Sequence, residues 1–169
     1  MNLYFRLLKL FLSRLFFPKP LKFLDTSVVT GRVWPTDLDK NRHMNNGRYL
    51  TIMDLGRFDW LLSCGHLSYC LKTNTFPIVG ALKILYVRPL KMFQTFELKT
   101  RIVGWDKKWL YVEQIYEVNG VLYAKSVLQG LFHGPQGKVP TQELLKVLGH
   151  QGPSPKLPKD VKTWLRSIQ

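Results

Sequence analysis

Residues Trp34–Leu50, "WPTDLDKNRHMNNGRYL", decide how the rest of the chain is read. Asp37, Asp39, His43, Asn45 and Asn46 crowd together here, and the pattern then turns helical. Asp and Asn side chains accept from backbone N–H groups in turns and at helix starts, so the cluster can serve turns and caps alone. It can also assemble a site, because the first turn of a helix offers unpaired N–H groups and a dipole that favours negative charge. Both readings stand at this point.

On the N-terminal side, "SVVTGRVW" (Ser27–Trp34) is rich in β-branched residues and predicts a first strand, ended by Pro35. On the other side, Asn46 or Gly47 to about Ser63 predicts one long helix, with Tyr49, Ile52, Met53, Gly56 and Trp60 at spacings of three and four. A mid-helix glycine costs about 1 kcal/mol relative to alanine, so Gly56 predicts close approach of a neighbour. Gly65 supplies the stop. Four long runs of strand formers follow, beginning near Phe76, Phe93, Lys108 and Val121. Asn119-Gly120 between the last two is a two-residue hairpin signal. One strand, a long helix and four antiparallel strands predict an α+β fold, a curved sheet wrapped around one central helix. Its open edges predict a homodimer.

Composition narrows the partners. The 169 residues carry a formal charge of +14, spread along the chain, which favours phosphate-bearing partners such as anionic lipid, a nucleotide-tailed substrate or nucleic acid. No module signature or aromatic-basic surface motif supports nucleic acid, so none is expected. Cys64 and Cys70 form neither a zinc framework nor a secreted disulfide set, and the four histidines are isolated, so no metal or cofactor is expected.

Residues 1–24 carry Arg6, Lys9, Arg14, Lys19 and Lys22 and no acid. On a helix, Asn2, Arg6, Lys9 and Ser13 form a narrow polar stripe; leucine and aromatic residues cover most of the rest, and Pro18 and Pro20 end it. This segment is a poor spanning helix and lacks the cleavage site of a secretory signal. The expectation is a membrane-associating helix over residues 1–17, with its cations near lipid phosphates; a helix packed on the domain's own core, or a short spanning anchor, is the alternative. The chain divides into this segment (1–24), a folded domain (25–137) and a basic C-terminal extension with a proline-containing linker and short helices (138–169).

The motif itself resembles the signature D-x-D-x-x-G-H-x-N-N-x-x-Y of hotdog-fold thioesterases of the 4-hydroxybenzoyl-CoA type. Asp37, Asp39, His43, Asn45, Asn46 and Tyr49 match it, and Arg42 stands where that family has glycine. Asp54-Leu-Gly-Arg57 resembles the family's acid-x-x-Arg element, and Arg88-Pro89-Leu90 its turn into the third strand. "GRVWPTDLDKNRHMNNGRYL", the apolar basic N-terminus and Gly104–Asp106 are similar to one membrane-associated branch, thioesterase superfamily member six and its relatives. The resemblance implies a hotdog fold and hydrolysis of acyl thioesters, fatty acyl-CoA foremost. In that reading Asp39 is nucleophile or general base, His43 positions substrate or tunes Asp39, Asn45 orients water or the loop, and amides near Asn46 and Gly47 take the oxyanion. Asp54 and Arg57 are secondary candidates, from the same or the opposite subunit, although their spacing also suits an ordinary helical ion pair. Glycine at position 42 would permit a positive φ; arginine there narrows the site or aims a cation into it. The rival reading is a non-catalytic, membrane-attached acyl-binding protein. The expected location is a membrane, the endoplasmic reticulum in a eukaryote.

Overall fold

The structure, a computed structural model, describes residues 2–168. Its central element is α2 (Asn46–Ser63), the helix that the three- and four-residue spacing predicts. Around it curls an antiparallel sheet of β1 (Ser27–Arg32), β2 (Phe76–Tyr86), β3 (Thr95–Trp105), β4 (Leu110–Val118) and β5 (Val121–Gly134), in the order β1-β3-β4-β5-β2. A short β6 (Gly137–Val139) pairs with the end of β5. The turn at Asn119-Gly120 has both residues at positive φ, 51° and 77°, the conformation that this dipeptide favours in a two-residue hairpin.

The sheet grips α2 by its backbone as well as its side chains. A Cβ at Gly56 would stand 2.6 Å from Thr100 Oγ1 and 2.8 Å from Leu98 Cδ2, so only glycine lets the helix lie this close to β3. Gln114 Nε2 donates to the Met53 carbonyl (2.9 Å) and the fully buried Tyr116 hydroxyl donates to that of Tyr49 (2.9 Å). Toward the start of α2, Tyr49, Ile52 and Met53 pack with Phe96, Leu98 and Tyr116. Toward its end, Trp60 and Leu61 pack with Ile102, Leu128 and Phe132. The short helices α3 (Leu67–Thr73) and α4 (Thr141–Val147) close that end, with Cys70, Leu144 and Leu145 in the same cluster.

Part of the outer face of the sheet is covered by the C-terminal segment. Helix α5 (Lys159–Ser167) sets Val161, Trp164 and Leu165 on Val103, Tyr111 and Val127. Lys125 Nζ joins Asp160 of α5 to the buried Glu113 of β4, at 2.8 Å each. The segment read as a linker has no regular structure over 153–158, yet it is fixed to the sheet: Ser154 Oγ accepts from the Trp105 N–H (2.9 Å), and Leu157 packs over Gly104. Its prolines and polar residues rule out a strand or helix but leave it free to carry α5 across the sheet.

The N-terminal helix α1 (Asn2–Phe16) packs along α2 with a face that the sequence reading did not give it. Arg6 pairs with Asp37, and Arg14 makes a two-pronged pair with Asp59 (2.6 and 2.8 Å). Both cations therefore turn inward onto buried carboxylates instead of outward. No helix among the described residues is long and apolar enough to cross a membrane.

Candidate active site

The loop before α2 opens with a 3-10 turn, Pro35–Asp37. Asp37 is almost wholly buried: its carboxylate accepts from the Trp34 N–H (2.9 Å) and pairs with Arg6, with Arg48 Nε at 3.8 Å, while its carbonyl accepts from the Asn45 N–H (2.9 Å). It is a fastener of the loop, the turn-forming alternative for this position.

Asp39 is only half-buried and sits in a tight turn. Its N–H donates to the His43 carbonyl (3.0 Å), its carbonyl accepts from the Arg42 N–H (3.0 Å), and its Oδ1 accepts from the Asn41 N–H (2.8 Å). The other oxygen, Oδ2, lies 3.5 Å from His43 Nδ1, so the structure brings this carboxylate and imidazole together. Arg42, at the tip, has φ of 60°, the left-handed conformation for which glycine is the ordinary residue. His43 also bridges Lys91 across the neighbouring loop, and the exposed Lys40, Arg42 and Lys91 make this surface basic.

The helix start gives the two asparagines different places. Asn45 is the N-cap: its Oδ1 accepts from the Gly47 N–H (2.9 Å), and its carbonyl accepts from the Arg48 N–H (2.8 Å). Asn46 is the first helical residue, and its carbonyl accepts from the Tyr86 hydroxyl (3.0 Å). The Gly47 amide is thus engaged, which narrows the oxyanion position expected here to the Asn46 N–H.

Asp54 and Arg57 lie two turns further along α2. They pair with each other, and Arg57 also donates to Gln114 Oε1 (2.6 Å). Burial lowers the Arg57 pKa from its ordinary value, against the pull of Asp54 in the other direction. These two are the charged residues lining an otherwise apolar cavity of about 420 Å³ between α2, α3 and the sheet, walled by Trp60, Leu67, Ile78, Ile102, Leu128 and Phe132. Cys70 also faces it, and burial pushes that thiol up, away from the reactive thiolate form. Gln114, which ties Arg57 to Thr100 and to the helix backbone, was missed from sequence. Its signal was a lone amide between Val112 and Tyr116 on the inward side of β4.

Loop and cavity do not meet within one chain. Asp39, His43, Asn45 and Asn46 are absent from the cavity wall. At 1.5 Å per residue, Asn46 and Asp54 are about 12 Å apart along the helix axis. The edge strand β2 connects the two places: Tyr86 at one end bonds Asn46, and Phe76 to Val79 at the other line the cavity. Among the described residues no group of three or more His, Cys, Asp or Glu side chains is placed to hold a metal ion.

A family model described as the thioesterase-like superfamily matches residues 33–165. The chain belongs to that family. At the family level this member of the thioesterase-like superfamily is a thioester hydrolase, the class implied by the Asp37–Tyr49 motif. It is similar to the protein THEM6 of Danio rerio, at 33% identity over 90% of this chain and 75% of the relative. It is also similar to the protein THEM6 of Xenopus laevis, at 31% identity over 81% of this chain and 66% of the relative's length. Its fold is shared by the Staphylococcus aureus protein SAV2348, solved in complex with CoA, at a TM-score of 0.66 and 15% identity over 83% of this chain and 94% of that one. The superfamily's hotdog architecture is the curved sheet around one helix that the strand and helix pattern predicts.

Proposed function

We propose that the chain hydrolyses fatty acyl thioesters, with coenzyme A as the carrier, as a membrane-attached homodimer. The observation that carries this reading is the cavity: about 420 Å³ of apolar space whose charged residues are confined to Asp54 and Arg57. Such a largely apolar space suits a hydrocarbon chain. Asp39 acts on the thioester carbon as nucleophile or through water, His43 holds its Oδ2, and the Asn46 N–H at the positive end of α2 receives the developing oxyanion. Lys40, Arg42 and Lys91 supply the positive surface for the carrier's phosphates. The CoA complex of SAV2348 supports that choice of carrier.

Dimerisation supplies what a single chain lacks. Strand β2 is an open edge of eleven residues, with Phe76, Ile78, Val79 and Leu85 exposed. A second copy pairing antiparallel along it sets the Tyr86 end of one β2 beside the Phe76 end of the other. One protomer's Asp39 loop then lies near the partner's cavity, and the unpaired edge is satisfied.

The test is thiol release from short, medium and long acyl-CoAs by wild type and Asp39→Asn, with the mass of each in solution. Turnover that favours long chains and disappears in a folded, dimeric Asp39→Asn variant is the expected result. Equal turnover in the two would remove Asp39 from the chemistry. Acyl-CoA binding without turnover in wild type would leave the acyl-binding protein as the reading.

A further inference from the structure

Helix α1 is amphipathic in an inverted sense. Its inward arc is Leu3, Arg6, Leu7, Leu10 and Arg14, a spacing of three and four that turns both arginines onto the domain. Its outward arc is Tyr4, Phe5, Leu8, Leu12, Leu15 and Phe16, every one exposed, with Tyr4 at 76% and Phe5 and Phe16 at 69%. A helix packed on its own domain ordinarily shows water its charges and hides its aromatics. Here both arginines hold the helix down, while the aromatics and Lys9 face away.

The two anchors are unlike in where they lead. Arg14 binds Asp59, which also accepts from Ser27 Oγ (2.5 Å), so this anchor joins α1 to α2 and β1. Arg6 binds Asp37, in the loop that carries Asp39, and also donates to the Arg32 carbonyl (3.2 Å) at the end of β1. Asp37 in turn fixes the Trp34 and Asn45 backbones on either side of Asp39. A displacement of α1 at Arg6 is therefore a displacement of the loop's two ends.

We propose that α1 is a membrane-seated clamp on the active loop: a bilayer holds its outward apolar face, and Arg6, through Asp37, transmits that seat to the segment bearing Asp39. This rests on the reading of that loop as the reacting site. The occupant of the outward face is a lipid surface because aromatic and leucine side chains lie beside Lys9, Lys19 and Lys22, with no acid in residues 1–24, the pairing that anionic headgroups over acyl chains accept. Arg6 is a positioning residue; it does not contact substrate. The clamp also places the loop near the bilayer from which a fatty acyl thioester is drawn.

Vesicle flotation and amide hydrogen exchange of the full chain test this, with and without phosphatidylcholine–phosphatidylserine vesicles. The variants are Arg6→Gln, Arg6→Lys and the double variant Arg6→Gln/Asp37→Asn, which strands no buried carboxylate. Wild type floats, and exchange over residues 38–46 slows roughly five- to tenfold on the vesicles. Both variants lacking the ion pair float but lose that slowing, while β4 amides stay protected; Arg6→Lys recovers part of it. Failure of wild type to float, or a mass that doubles through α1 in place of flotation, overturns the lipid assignment. Loop slowing that persists in both ion-pair variants overturns the clamp. Thiol release is read in parallel: loop slowing without turnover sinks the hydrolase reading alone, and turnover without slowing sinks the clamp alone.

Discussion

Replacing Arg14 by glutamine isolates the two-pronged ion pair that fastens α1 to α2. The Asp59 side chain has no exposed surface and takes three hydrogen bonds, two from Arg14 at 2.6 and 2.8 Å and one from Ser27 at 2.5 Å. Hydrogen bonding to Asp59 raises the Arg14 pKa above its ordinary value, so the guanidinium stays charged throughout. Removing one partner of a buried pair leaves the other uncompensated and costs about 3–5 kcal/mol. With a urea dependence of about 2 kcal/mol per molar for a domain of this size, the midpoint falls by roughly 1.5–2.5 M. The double variant Arg14→Gln/Asp59→Asn removes both charges and keeps hydrogen-bonding groups, so it recovers most of the loss. Equilibrium unfolding followed by far-ultraviolet circular dichroism reads both, in detergent to cover the apolar face of α1. A single variant within about 1 kcal/mol of wild type would refute the reasoning, since an exposed pair is worth no more than that.

Three further outcomes follow from the geometry. Arg42→Gly relieves a left-handed residue and gains about 0.5–1 kcal/mol in the same unfolding assay, because an L side chain is disfavoured at φ of 60°. Gly56→Ala, which improves helix propensity by about 1 kcal/mol, instead loses about 1 kcal/mol net, as its Cβ meets Thr100 Oγ1 at 2.6 Å. Burial holds the His66 imidazole below its usual value of 6.5. The neutral form is thus the one the fold accepts: stability from this group is full above pH 6.5 and is lost as pH falls through the lowered folded-state value. Urea midpoints at pH 7.5 and 5 show a drop that His66→Gln reduces.

Local pattern carried much of the architecture. The spacing of Tyr49, Ile52, Met53, Gly56 and Trp60 encodes α2, and Asn119-Gly120 encodes the β4–β5 turn, because both signals lie within a few residues of the structure they specify. Gly56 was legible for the same reason: its cost in a helix demands a close neighbour, and Thr100 and Leu98 are that neighbour. Which of the two asparagines caps the helix was not legible, because adjacent asparagines offer the same chemistry and only the backbone angle at Asn45 decides. Asp39 and His43 meet because they are four residues apart in one turn. Nothing local tells Arg6 to find Asp37, 31 residues away, or Arg14 to find Asp59, 45 away. Those partners are set by how α1 crosses the finished domain, and so the sequence suggested lipid phosphates for cations that bind carboxylates. Gln114 stood in plain view on an inward strand position, but its bonds to Arg57, Thr100 and the Met53 carbonyl exist only once helix and sheet are joined.

The inverted face of α1 also reverses which of its positions can drift. In most surface helices the charged residues interchange freely and the buried apolar ones are held by shape. Here Arg6 and Arg14 each answer to a buried carboxylate, and at the two-pronged Arg14–Asp59 pair lysine cannot reproduce the geometry. Tyr4, Phe5, Leu8 and Phe16, exposed as they are, need only remain large and apolar. Among related chains, the arginines and their aspartates should change together or not at all, while the outer positions exchange leucine, phenylalanine and tyrosine with little consequence.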